Sequence, residues 1–443
     1  MEFVGKISIL EGGNEKCYQH ISCPKGAAMS LIERLCKNNL ALLAVLLGVL
    51  LGGTIGLLTA SRYASEKFHP QLQLPVRIDD TPHPLHGKVA SLSWIVGQDC
   101  QRGLQAYLHT ADLLPDAALV GTGWLDPTNG KLITGKSNNC VAKSTSMDTA
   151  VQLIHSHGGM AYLTLTMMTD GTADAWTSQQ QAEYITKAAT TQSYIDTIVH
   201  EVLRANYDGV IMDLESTPPD YPTIQQTFAL YNQHLWTALK AHQKLYGIAL
   251  IHKESDHDNY YFLNGFQDWR MLAHSADFMV IMALDQSYAT PGPTVSLPWL
   301  KQILAYARQT MPDMLPHIIW ELPLYGNSWH QANEEWVFDG LINYQEAQRI
   351  RSHVADTHID TNTSNLDGAT DVYLVYSDEA GVKHALWYHT ARNLYTIITM
   401  FSRTLKETPE FGPAVPQIAV WYRCTQEPGE LWSMLVASLP NRP

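Results

Sequence analysis

Residues 207–215 read YDGVIMDLE, and the two acids near its end decide how the rest of the chain is read. Over 209–215 the run has the apolar, partly β-branched character of a strand. Side chains on a strand alternate, so Ile211, Asp213 and Glu215 point the same way, neighbours standing ~6.6–6.8 Å apart. In a barrel the last residues of a strand face the open mouth, which puts Glu215 at the rim and Asp213 one layer below. An acid above an acid in a partly desolvated mouth raises the pKa of one of them, as a general acid near neutral pH requires. The plainer alternative is that both acids cap the following helix or merely ring the strand end.

Outward from this run, short apolar stretches alternate with amphipathic ones. Strands are expected at 89–95, 118–124, 160–166, 209–215, 247–252, 278–284, 317–325 and 418–422. Helical patterns fall between them, as at 181–205, 223–245 and 297–310. This alternation predicts an α/β fold, a (β/α)8 TIM barrel. A doubly wound open sheet is the competing architecture, but no glycine-rich phosphate loop follows the first strand. Between strands seven and eight the rhythm breaks. Residues 371–376 and 384–388 flank a turn at 378–381, which predicts a small α+β insertion over about residues 330–395, packed on one side of the mouth.

The chain has 443 residues, 45 % hydrophobic and 16 % charged, which supplies a large core and is unlike a disordered chain. Acidic side chains outnumber basic ones, 43 to 29, and no Lys/Arg-rich stretch compensates, so nucleic acid is excluded as a partner. Six cysteines without a Cys-x-x-Cys pair exclude a disulfide scaffold and thioredoxin-like chemistry.

Residues 40–60, LALLAVLLGVLLGGTIGLLTA, carry no charge and as a helix would span ~30 Å, the thickness of a bilayer's hydrocarbon core. One transmembrane anchor is expected there, with a cytoplasmic tail over 1–39 and a Pro/His-rich linker over 61–85. The barrel, over 86–435, is expected outside the cytoplasm, held to the membrane by this anchor. Gly48, Gly52 and Gly56 share one helix face, a small-xxx-small stripe suited to a homodimer. In an oxidising compartment Cys100 and Cys140 could pair and leave Cys424 single. Asn362-Thr363-Ser364 has the form of a glycosylation acceptor.

Taken with three later blocks, YDGVIMDLE resembles the DGxDxDxE signature strand of glycoside hydrolase family 18, the chitinase-like group. FMVIMALDQS (278–287) resembles the family's sixth-strand MxYDQ block and is followed by a similar GPxxxLPWL run through Pro293 and Trp299. LPLYGNSW (322–329) resembles the seventh-strand PLYGYDW block. IAVWYRCTQEPGELW (418–432) resembles the eighth-strand block with its platform tryptophan. The insertion, with VYSDEAGVKHALWYHTAR (375–392), looks like its equivalent in bacterial cell-wall-active members related to spore-cortex glucosaminidases.

This resemblance, over about residues 86–435, implies a membrane-anchored hydrolase of N-acetylglucosamine-containing glycans: chitooligosaccharide, peptidoglycan or poly-N-acetylglucosamine. Two carboxylates two apart on one strand cannot flank a glycosidic bond from opposite faces, so a substrate-assisted retaining route is implied. Glu215 would protonate the glycosidic oxygen. The 2-acetamido oxygen of the sugar would attack the anomeric carbon while Asp213 holds the acetamido N–H. Asp285 matches the sixth-strand aspartate near the reacting sugar, and Trp421 the residue on which that sugar stacks. Tyr325 and Trp329 are expected along the cleft.

Two positions depart from the family pattern. Ile211 replaces its innermost acid, and Leu284 replaces a tyrosine whose hydroxyl bonds the acetamido carbonyl; losing one such donor costs ~3–4 kcal/mol. Tyr288 and Tyr325 are the candidates to supply that hydroxyl. Glu321, a carboxylate inside an apolar strand, reads first as a salt-bridged edge residue and second as a replacement for the charge missing at Ile211. The run HKESDHD (252–258) has metal-capable side chains but no helical HExxH arrangement, and it aligns with a family loop that needs no metal. No metal site and no cofactor are expected. The departures leave one alternative open, a sugar-binding barrel without hydrolysis; intact Asp213 and Glu215 favour the enzyme.

Overall fold

Among the described residues there are thirteen strands: β1 (Leu92–Val96), β2 (Asp116–Leu125), β3 (Leu132–Ile133), β4 (Ala161–Thr166), β5 (Gly209–Asp213), β6 (Leu245–Ile251), β7 (Phe278–Met282), β8 (Ile318–Pro323), β9 (Tyr325–Ala332), β10 (Glu335–Asn343), β11 (Val372–Ser377), β12 (Lys383–Tyr388) and β13 (Gln417–Trp421). This computed structural model describes residues 92–438 apart from 97–99, 127–131, 134–146, 167–176, 216, 218–220, 222, 355–371 and 424–426. The apolar run 40–60 with Gly48, Gly52 and Gly56, the tail, the linker, Cys140, Cys424, Asn362 and the Cys100 side chain lie outside the described residues. Among the described residues no helix is long and apolar enough to cross a membrane.

Eight of the strands pair in parallel in the order β1-β13-β8-β7-β6-β5-β4-β2, and β2 pairs back onto β1. That closure is the expected TIM barrel, with helices between successive strands. The helix expected over 181–205 is two helices, Ser178–Thr190 and Gln192–Arg204, parted at Thr191, whose backbone is extended. Thr190 bonds back to the Thr186 and Lys187 carbonyls, and a pair of threonines is where helix propensity is weak. The second helix still buries Ile195, Ile198, Val199 and Val202, a stripe facing the barrel.

Register decides which side chains enter the barrel. Partners across a parallel pair point to the same face. One face therefore runs through Thr164, Ile211, Gly247 and Phe278, and a second row through Ile251, Met282, Glu321 and Ala419. Tyr162 and Phe278, on this face, meet edge to face at 5.5 Å although two strands separate β4 from β7, so the face is the interior. Trp320 has the opposite parity and packs outside, on Phe401 of the helix Ala391–Lys406. Gly247 makes room for this arrangement: a Cβ there would collide with the Phe278 ring.

At the other end of the barrel, acids are structural. Asp208 accepts from Ala161 N at 2.7 Å, Asp277 from Tyr246 N at 2.8 Å and Asp116 from Met160 N at 3.0 Å. Each carboxylate replaces a ladder partner missing where its neighbour strand begins. This is the role of Asp208 in YDGVIMDLE, apart from the acids at the opposite end.

The chain between β8 and β13 forms an antiparallel sheet in the order β10-β9-β12-β11. The expected hairpin is β11–β12, its turn held by Asp378 accepting from Ala380 N and Val382 N, with Gly381 at φ 83°. A second hairpin, β9–β10, was not expected. Asn333 and Glu334 turn it with positive φ (52° and 70°), the two-residue form that matches strand twist. The sheet thus starts at Tyr325, one residue beyond Leu324, and the strand expected over 317–325 stops at Pro323. One face packs on the helix Tyr344–His353 through Ile342, Ala347, Leu374 and Leu386. The other carries Trp329, Ala385 and Trp387, edged by Trp336, Phe338 and Tyr373.

Candidate active site

β5 ends at Asp213, so Glu215 stands on the first residues of the following loop rather than on the strand. Its backbone is nonetheless held. Gln267, wholly buried, donates from Nε2 to the carbonyls of Leu214 and Ala249 (3.2 Å each) and accepts from Ile251 N through Oε1 (2.8 Å). Lys253 Nζ in turn donates to the Gln267 carbonyl at 2.7 Å. The amide side chain replaces the ladder where β5 and β6 part, and fixes the peptide between Asp213 and Glu215.

Asp213 is 8 % exposed, with Oδ1 buried and unbonded, whereas Glu215 is open to water in the mouth. Enclosure by the walls, then the charge of Asp285, push the Glu215 carboxyl up to about 7, and the water reaching it moderates that enclosure. Burial, then the charge of Glu215, hold Asp213 well above the ordinary carboxylate range. Asp285 follows β7 on left-handed backbone, φ 63°, a conformation that costs free energy and turns its side chain toward the mouth. Tyr325 donates its hydroxyl to Asp285 Oδ1 at 2.5 Å. Burial raises Asp285 to about 6, and the Tyr325 hydrogen bond holds it from going higher. Tyr260 donates to the Asp285 and Gln286 carbonyls at 3.4 and 3.3 Å, steadying the same turn.

Glu321 overturns the first sequence expectation. It is no salt-bridged edge residue: it is 1 % exposed, faces the interior and makes no ion pair among the described residues. A residue in the middle of a closed barrel has no edge to occupy. Burial, then Asp213, Glu215 and Asp285, hold its carboxyl well above the usual range. Trp94 from β1 approaches and offsets part of this, although its indole Nε1 does not reach hydrogen-bond geometry.

The remaining expected residues divide. Trp421, half-buried at the end of β13, presents its ring against Trp94 at 5.6 Å, edge to face. Tyr325 is brought to the cluster through Asp285. Trp329 is wholly buried and donates from Nε1 to the Tyr288 carbonyl, so it supports the insertion sheet and does not line an open cleft. Tyr288 is 50 % exposed and lies against Phe338 at 4.3 Å, on the insertion's aromatic face. Of the two tyrosines offered to replace the hydroxyl missing at Leu284, Tyr325 is the one whose hydroxyl touches the acids. Ile211 is fully buried beneath Asp213.

The HKESDHD side chains are engaged by their own loop and by the helices Trp269–Leu272 and Leu297–Thr310. Glu254 accepts from Trp299 Nε1 at 2.6 Å, Asp256 from Arg270 and Tyr306 at 2.7 Å, and Asp258 from Tyr260 N at 2.9 Å. His252 sits between the Tyr260 and Trp299 rings, and burial lowers its pKa to about 4. Sequence reasoning missed Trp94 and Gln267. The in-facing parity of β1 was a signal for Trp94, whereas nothing marks a glutamine in a loop as the clamp of a distant strand.

No protein-family model and no curated protein matches the chain by sequence. Solved structures do match. A chitinase from Chromobacterium violaceum superposes with TM-score 0.63 at 17 % identity, covering 80 % of this chain and 99 % of its own. The spore cortex-lytic enzyme SleL of Bacillus megaterium gives 0.61 at 17 %, covering 79 % of this chain and 74 % of its own. A Group IV chitinase from Ostrinia furnacalis, solved with allosamidin, gives 0.56 at 13 %, covering 79 % and 98 %. At such identities the likeness shows a shared fold: this chain has the barrel of chitinases and of a spore cortex-lytic enzyme.

Proposed function

We propose that the chain hydrolyses N-acetylglucosamine-containing glycans by a substrate-assisted retaining route. One observation carries this reading: Asp213 ends a barrel strand and Glu215 stands two residues on, next to Asp285, with no cation paired to any of them among the described residues. Glu215, raised to about 7 and open to the mouth, is suited to deliver a proton to a glycosidic oxygen near neutral pH. Because both acids stand side by side at the end of β5 and the start of its loop, neither can attack the far face of the sugar, and the acetamido oxygen serves as nucleophile. Asp213 holds the acetamido N–H and steadies the oxazolinium charge. The Tyr325 hydroxyl gives its one proton to Asp285 while that acid is ionised and can turn it to the acetamido carbonyl once Asp285 is protonated, and Trp421 offers a flat apolar surface to the sugar ring. The fold shared with two chitinases and SleL supports the substrate class. The apolar run 40–60 would tether the barrel to a membrane, facing a glycan polymer outside the cytoplasm.

The test is release of reducing ends from N-acetylated oligosaccharides by the full chain. Glu215→Gln is expected to abolish it, and unchanged turnover would remove Glu215 from the mechanism. Ile211 and Leu284 favour a second reading, a barrel that binds the sugar without cutting it. That reading expects oligosaccharide binding, weakened about tenfold by Trp421→Ala, with no hydrolysis of any N-acetylated polymer.

A further inference from the structure

The loop that follows β7 carries Asp285, and the insertion sheet grips it. On β9 the side chains of Tyr325, Asn327 and Trp329 alternate onto one face. All three donate to this loop: Tyr325 to Asp285 Oδ1 at 2.5 Å, Asn327 Nδ2 to the Ser287 carbonyl at 3.1 Å and Trp329 Nε1 to the Tyr288 carbonyl at 2.9 Å. The far end of the loop is tied to the same sheet. Gln286 N donates to the Thr294 carbonyl at 3.0 Å, and the Thr294 hydroxyl bonds His389 Nε2 at 2.8 Å, one residue past β12. Gly292 lets the loop fold on itself, since a Cβ there would collide with the Ser287 hydroxyl.

Asn327 is the member of this row with no second duty. Trp329 also fills the apolar face of the sheet, and Tyr325 touches the acids. Asn327 is fully buried, and its Oδ1 has no partner. A buried amide with one end unmet costs free energy that a leucine of similar volume would not. What the amide alone provides is the N–H given to Ser287, two residues after Asp285. Asp285 sits at φ 63°, a conformation that a non-glycine residue keeps only where its surroundings impose it. Tyr260 steadies that turn from the β6 side, and Asn327 from the insertion.

We propose that Asn327 is a positioning residue, through which the insertion sheet holds Ser287 and so fixes Asp285 at the mouth. Its effect on hydrolysis rests on the reaction proposed above; its hold on the loop does not.

Two measurements on the full chain separate these parts. Asn327→Leu keeps the volume and removes the donor, and Asn327→Ala removes it without the bulk of leucine. Ser328→Ala is the control: it deletes a hydrogen bond of the same strand, from Ser328 Oγ to the Gly340 carbonyl at 3.0 Å, on the opposite face. The first measurement is amide hydrogen exchange over 285–294, which needs no substrate. Both Asn327 variants are expected to speed it about tenfold with the barrel strands unchanged, and Ser328→Ala to leave it as in wild type. Unchanged exchange in the Asn327 variants, or an equal rise across the whole chain, overturns the hold.

The second is hydrolysis of N-acetylglucosamine oligosaccharides across pH. Asp213, Glu321, Tyr260 and Tyr325, from β5, β8, the loop after β6 and β9, are the ionisable groups that bear on Asp285 and Glu215, and none of them is a cation. A loosened Asp285 bears less on Glu215, so in Asn327→Leu the basic limb moves to lower pH and kcat falls about tenfold while KM changes less. A limb that stays in place while the loop exchanges faster overturns the positioning role. A wild-type chain that hydrolyses nothing overturns the function, while exchange still decides whether Asn327 holds the loop.

Discussion

Gln267 donates to the Leu214 carbonyl at 3.2 Å, and so grips the peptide that joins Leu214 to Glu215, one residue past Asp213. The grip is tertiary: Gln267 lies in the loop ahead of the short helix Trp269–Leu272, far along the chain from β5. Gln267→Leu keeps the volume and leaves the Leu214 and Ala249 carbonyls and the Ile251 N–H without this partner. Each unsatisfied buried group costs ~1–3 kcal/mol, so the variant is expected to lose about 3 kcal/mol in denaturant unfolding. Hydrolysis falls further than stability requires, about ten- to a hundredfold at a temperature where the chain stays folded, because Glu215 loses its support.

The pH dependence follows from the raised acids. Glu215 must be protonated to act, so activity is lost as pH rises through about 7. Asp285 supplies part of that rise, and Asp285→Asn is expected to move the basic limb of the pH–rate profile to lower pH. A limb that stays in place separates Asp285 from Glu215. Stability has the same sign: carboxyls raised in the fold hold protons that the unfolded chain has released, so stability declines as pH rises from the ordinary carboxylate range through about 6 and 7.

Tyr325→Phe removes the hydrogen bond that restrains Asp285, whose pKa then rises above about 6. With Asp285 more often neutral, the Glu215 limb moves down, the same direction as in Asp285→Asn. If the hydroxyl also serves the acetamido carbonyl, kcat falls by about 10²–10³, an effect that steady-state kinetics separates from the shift of the limb.

Gly247→Ala tests the barrel interior alone. The new methyl meets the buried Phe278 ring, and overpacking of this kind costs ~1–3 kcal/mol. Thermal unfolding is expected to show that loss. Combined with Phe278→Leu, which vacates the ring's space, most of it should return.

The sequence by itself determined the barrel, because apolar runs of strand length alternating with amphipathic helices have few other ways to bury both faces of a parallel sheet. It also marked Asp213 and Glu215, since strand ends in a barrel converge on one mouth, while Asp285 and Trp421 came from the resemblance of their blocks to the family 18 pattern. It left β9 and β10 unseen: their interleaved polar and aromatic residues suit either a loop or an edge pair, and only pairing with β12 decides between them. It placed Trp329 on a cleft, whereas packing buries it under Tyr288. It read Glu321 as an edge residue, because a local pattern carries no information about which strands close around it. Closure brought β5, β8 and the loops that follow β5 and β7 together at one point. Only there do four acids share a space without a cation, and that crowding, rather than any single residue, sets which of them holds a proton.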